Sequence, residues 1–263
     1  MMLLWLGLSV GCASPVERGE AALSRDDLLS AEREFRLALD DEPDDPEALY
    51  GLGWTFHQAG EEGPARDAFM RLIKVHPDLP QGYRGLGSIF ASEGNLPAAR
   101  AQLELALKAA PDDPAANQTL ALVELGEGKP AEALARLDRL VGLHPERSEL
   151  GQTRAVALLR LERPEEALAA AAVAVQGAAS PRSLTAARIT WVDAALQSCD
   201  DRVDPDNCAA TAPPVRAWLD AADHVLDEAE ASGALREVTS DMRRQVRRRR
   251  AFVEDTCPPG GGQ

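Results

Sequence analysis

The chain has 263 residues, 4 % aromatics and a formal net charge of −15 at pH 7. That length can bury a large core, and the acidic balance argues against nucleic acid and against broad adhesion to anionic lipid. No alternating β-branched run or hairpin turn reads as a strand, so the expectation is all-α.

Residues 1–12 read Met-Met-Leu-Leu-Trp-Leu-Gly-Leu-Ser-Val-Gly-Cys, an uncharged apolar run ending in Gly-Cys. It is too short to span a bilayer. It resembles the end of a bacterial lipoprotein signal peptide, with 1–11 as the signal segment and Cys12 as the lipidated mature N-terminus. No Lys or Arg precedes the run, which places the expected start upstream. Ala13 after the cysteine implies the outer membrane, facing the periplasm, by resemblance to sorted lipoproteins. The alternative is a short buried apolar N-terminus in a cytosolic protein.

From residue 12 a 34-residue period runs without slipping. Ala31, Phe35, Ala38 and Pro43 recur as Ala65, Phe69, Leu72 and Pro77. They return as Ala99, Leu103, Ala106 and Pro111, then as Ala133, Leu137, Leu140 and Pro145. Ala167, Ala171, Ala174 and Ala179 keep the spacing without the proline. The units are 12–45, 46–79, 80–113, 114–147 and 148–181, each a helix pair, which makes an α-solenoid. The apolar stripe of each first helix includes Leu49, Leu52 and Phe56, or Leu86 and Phe90, or Leu120, or Leu158. Asp45 and Asp113 stand before prolines as helix N-caps. Gly60, Gly94 and Gly128 occupy left-handed positions after the first helices, and the recurring prolines stop the second ones.

These residues resemble the tetratricopeptide repeat family over 12–181. Units two and three carry its aromatic, Leu-Gly, aromatic, Ala, Phe and Pro positions almost complete. Unit four lacks both aromatics of its first helix, and units one and five are degenerate. The resemblance implies that first helices line a partner-binding groove. The groove residues are then Tyr50, Trp54 and His57 in unit two, Arg84 and Ser88 in unit three, Gln118 and Leu122 in unit four, and Gln152 and Arg160 in unit five. The implied occupant is an extended peptide or a helix, gripped by aromatics and amides. Members that clamp a C-terminal carboxylate use Lys and Asn. Here Tyr50/Trp54, Arg84/Ser88, Gln118/Leu122 and Gln152/Val156 stand instead, so the clamp is missing.

After residue 181 the period breaks, and 182–256 reads as a modified sixth unit with a capping helix. Helices are expected over 183–198, 213–231 and 234–254, and 257–263 as a disordered tail. Cys199 and Cys208 flank an Asp-rich loop and are the expected disulfide, being nearest in sequence; Cys199 with Cys257 is the alternative. Closing about ten residues stabilises by roughly 3 kcal/mol in the chain-entropy model and implies an oxidising compartment. Arg243, Arg244 and Arg247 to Arg250 read as a solvated face partly paired with acidic residues. The alternative is contact with a phosphate, an anionic headgroup or an acidic partner.

No Gly-rich phosphate loop, His-Glu-x-x-His or Gly-x-Ser-x-Gly occurs, and no histidine pair has metal-ligand spacing. Neither a catalytic residue nor a cofactor or metal is expected. His76 and His144, each before a terminating proline, are expected at the carbonyl ends of their helices. The functional expectation is a non-catalytic, envelope-anchored scaffold that assists assembly of a secretion, pilus or outer-membrane complex. A cytosolic adaptor without the lipid is the alternative.

Overall fold

The computed structural model describes residues 13–178, 181–199, 202–204, 206, 208–231, 234 and 236–258. The apolar run with Cys12, and the tail beyond Pro258, lie outside the described residues. Among the described residues the chain is helical, with no strand. The helices are α1 (Pro15–Ser24), α2 (Leu28–Asp41), α3 (Pro46–Gln58), α4 (Glu62–Val75), α5 (Pro80–Ser92), α6 (Leu96–Ala109) and α7 (Pro114–Gly126). They continue as α8 (Pro130–Leu143), α9 (Ser148–Arg160), α10 (Pro164–Gly177), α11 (Pro181–Cys199), α12 (Cys208–Ala231) and α13 (Arg236–Thr256). Two compact units divide within α7, after Thr119.

Helix ends follow from local chemistry. Asp45 accepts from the Ala48 amide at 2.9 Å and Asp113 from the Ala116 amide at 2.8 Å, capping α3 and α7. Gly60, Gly94 and Gly128 hold φ of 77°, 74° and 74°. The equivalent positions in the degenerate units, Asp26 and Glu162, are held at 61° and 58° without glycine's freedom. His76 and His144 are the C-caps of α4 and α8, as their places before prolines suggested. The imidazole of His76 reaches further, lying 2.8 Å from the carbonyl of Asp44 in the preceding repeat.

In the first unit each helix packs on the next, and α1 also touches α3 and α3 touches α5. That is the pattern of stacked helix pairs, in which a repeat meets only its neighbours. The core runs through Phe35, Phe56, Phe69 and Ile89. Two rings key it. A Cβ on Gly19 or Gly51 would fall 2.7 or 2.3 Å from Phe35, and one on Gly53 or Gly85 would fall 2.5 Å from Phe69. Each phenylalanine is thus held between a glycine of its own repeat and one of the next. Where Leu103 replaces phenylalanine, the second glycine position becomes Thr119. Leu137 has Ala121 and Thr153 at these positions, and Ala171 has Ala155 and Ala187. Gly85→Ala should therefore destabilise by about 1–3 kcal/mol, although alanine favours helix. A second change, Phe69→Leu, should return part of that loss, and urea melts of the two variants measure both.

The second unit stacks α8 to α13 in the same way, with α9 also touching α11 and α11 touching α13. Its first core centres on Leu137, Leu140, Leu150 and Leu158. A second core joins Val192, Leu196, Val215, Leu219, Leu226 and Val246. The helix expected from residue 213 already runs from Cys208, through Pro213 and Pro214. Ala212 is buried there, and Cys208 is covalently tied.

The disulfide corrects the expected pairing of Cys199 with Cys208. The bridge joins Cys208 to Cys257 across a Cα–Cα distance of 5.4 Å. The reason is the antiparallel hairpin of α12 and α13. Asp227 meets Arg243 and Asp220 meets Arg250, so the start of α12 lies beside the end of α13. Cys199 stays outside the bridge as a buried cysteine in the same core. Cys257, 2 % exposed, is core rather than tail.

Candidate protein-binding face

Tyr50, Trp54 and His57 stand four and then three residues apart on α3, which places them along one side of the helix. The rings interlock edge to face. Tyr50 and Trp54 have centroids 6.0 Å apart, and Trp54 and His57 5.2 Å. The inner edges of Tyr50 and Trp54 rest on Phe69, at 5.9 and 6.0 Å. The two aromatics that the core stripe did not require are therefore half-buried and anchored, not free-standing.

Arg84 on α5 occupies the repeat position of Tyr50, 34 residues later. Its guanidinium lies 5.0 Å from the Tyr50 ring centroid, and its Nε donates to the Tyr50 hydroxyl at 3.1 Å. The other side of the fork donates to Asp113 Oδ2 at 2.6 Å. Asp113 meanwhile caps α7 through its second oxygen. Three successive first helices are thereby strapped by one arginine. Repeat position alone marks Arg84 as a residue for the partner; its contacts make it a strut that fixes Tyr50. His57 is held likewise, with Nδ1 2.9 Å from Glu62 Oε2.

Trp54 differs from these two. Its indole N–H has no hydrogen-bond partner among the described residues, although it can only donate. On the first turn of α5, Gln81 Oε1 is shielded from solvent and has no hydrogen-bond partner either. The Trp54 donor is thus left open on α3, whereas the unpaired Gln81 acceptor on α5 is covered. Neither Phe69 nor Asp113 was legible as a support of this face, since the repeat pattern assigns them to core and cap.

Ser88 is half-buried one turn beyond Arg84, and Gln118 is half-buried on α7. In the second unit Leu122 is 50 % exposed, Gln152 half-buried and Arg160 exposed at the end of α9. The structure brings Tyr50, Trp54, His57 and Arg84 together; Leu122, Gln152 and Arg160 belong to the other compact unit. No group of His, Cys, Asp and Glu among the described residues could hold a metal. No described helix is long and apolar enough to cross a membrane.

The family model for the tetratricopeptide repeat matches residues 16–69, 64–114 and 119–183. Among solved structures, a thermophilic repeat protein of Thermus thermophilus is 27 % identical, with a TM-score of 0.61 over 69 % of this chain and 97 % of that one. A tetratricopeptide repeat protein of Parabacteroides merdae is 15 % identical, with a TM-score of 0.63 over 89 % and 83 %. The PilF protein of Pseudomonas aeruginosa is 20 % identical, with a TM-score of 0.55 over 70 % and 88 %. These last two likenesses concern the fold alone. No curated protein matches the chain.

Proposed function

The chain belongs to the tetratricopeptide repeat family, and on that footing we propose that it is a non-catalytic scaffold that holds a segment of a partner protein against α3 and α5. The observation that carries this is the rigid Trp54, clamped between Tyr50, His57 and Phe69 with its indole N–H open. A preorganised aromatic with an unsatisfied donor is the usual make-up of a binding hot spot. An extended peptide supplies the carbonyl that Trp54 lacks.

The scaffold is anchored in the bacterial envelope through a lipid on Cys12, where it assists assembly of a secretion, pilus or outer-membrane complex. Support comes from the apolar run ending in Gly-Cys and from the Cys208–Cys257 bridge, a bond that persists in oxidising compartments. Mass spectrometry of the native N-terminus should find an acylated Cys12; an unmodified Met1 would rule the anchor out. Capture of the partner from envelope extract should fall at least tenfold with Trp54→Ala. Equal capture by wild type and variant would discredit this face.

A further inference from the structure

The arginines of α13 separate into two groups. Arg243 pairs with Asp227 at 2.6 Å and Glu230 at 3.4 Å, and Arg250 with Asp220 at 2.8 Å and Asp223 at 2.9 Å, all across to α12. Arg244 pairs along its own helix with Asp241 at 3.0 Å. Arg243 and Arg250 thus tie α13 to α12. Arg248 is different: it is exposed, and it makes no hydrogen bond or ion pair among the described residues. Arg249 is half-buried and donates to Gln245.

Both of these arginines line an open groove of about 510 Å³ in the C-terminal hairpin. Val203, Val215 and Val253 contribute apolar surface to it, and Phe252 stands on it one turn beyond Arg248. Phe252 is 58 % exposed, a large ring left in water on a helix otherwise rich in charge. An apolar trough, an exposed ring and an exposed guanidinium share one surface, in a chain whose net charge is −15. That charge is the reason the feature stands out, since most of this protein repels acidic partners.

We propose that this groove docks an acidic segment of a partner protein that carries a bulky apolar side chain beside its carboxylates. The apolar side chain enters the valine-lined trough against Phe252. A carboxylate is taken by the fork of Arg248, the geometry for which arginine is suited and lysine is not. An anionic bilayer fits less well. A recessed groove takes an inserted side chain, whereas a bilayer offers a broad surface. The site uses no residue of the Trp54 face and does not rest on the function proposed for it.

The test is fluorescence anisotropy on the full chain with a labelled hexapeptide, Asp-Asp-Leu-Phe-Glu-Glu. Controls are Lys-Lys-Leu-Phe-Lys-Lys and Asp-Asp-Ser-Ser-Glu-Glu. The acidic apolar probe should bind, both controls should bind at least tenfold more weakly, and affinity should fall as salt rises from about 50 to about 300 mM. Arg248→Glu and Phe252→Ser should each weaken the probe at least tenfold, and Arg248→Lys should weaken it less. Both positions are exposed, so thermal melts of all three variants should match wild type. The proposal fails if the probe does not bind, if a control binds equally, or if both Arg248→Glu and Phe252→Ser retain wild-type affinity. It also fails if phosphatidylglycerol vesicles, and not the peptide, are bound in an Arg248-dependent way.

Discussion

Arg136→Ala should destabilise the second compact unit by about 3–5 kcal/mol, the cost of breaking a buried ion pair by removing one member. Glu124 lies on α7 with its side chain only 2 % exposed. Arg136 on α8 closes on it with two hydrogen bonds, Nε to Oε2 at 3.1 Å and a terminal nitrogen to Oε1 at 2.7 Å. The two preceding repeats place Phe56 and Phe90 at the position of Glu124. Unit four has thus exchanged an aromatic for an ion pair. Removing both charges together should behave differently. Glu124→Leu with Arg136→Leu should recover most of the loss, because well-packed apolar residues replace buried pairs at little cost. Hydrogen exchange across α7 to α9, read alongside urea melts, localises the effect. An Arg136→Ala protein within about 1 kcal/mol of wild type would mean that Glu124 does not depend on this arginine.

Cys208→Ser should cost the C-terminal helices about 4 kcal/mol, the loop-closure entropy for a sequence separation of 49 in the chain-entropy model. The wild-type melting midpoint should fall in reductant, and that of Cys208→Ser should already be low and unmoved. Cys199→Ser should stay sensitive to reductant. If instead Cys199→Ser alone lost that sensitivity, the pairing of Cys208 with Cys257 would be wrong. Arg216, which donates to the carbonyl of Cys257, adds a non-covalent tie to the same junction.

Periodicity carried most of the fold. The recurring Ala, Phe or Leu, and Pro positions show which faces are buried and where helices stop, because both depend on residues within one repeat. The cysteine pairing was not legible in that way. Proximity in sequence favoured Cys199 with Cys208, and nothing local reveals that α13 folds back along α12. The contacts of Arg84 were not legible for a related reason. Its repeat position suggests the partner's side of the helix, but its two anchors, Tyr50 and Asp113, come from neighbouring repeats. Spacing of 34 residues between Tyr50 and Arg84 is the signal that could have paired them. Trp54 stands out in the sequence because an indole outside the apolar stripe is conspicuous in a chain with four tryptophans.

The glycines around Phe35 and Phe69 make the repeats non-interchangeable. A ring needs two absent side chains, one of them supplied by the following repeat. Leu103 is followed by Thr119 and Ala171 by Ala187, so each junction has its own lock and key. Moving the second repeat to precede the fourth would set Phe69 against a threonine. Excising the third would do the same. The order of the modules is therefore written into their seams, and a chimaera made by shuffling them would have to carry the following first helix along with each ring.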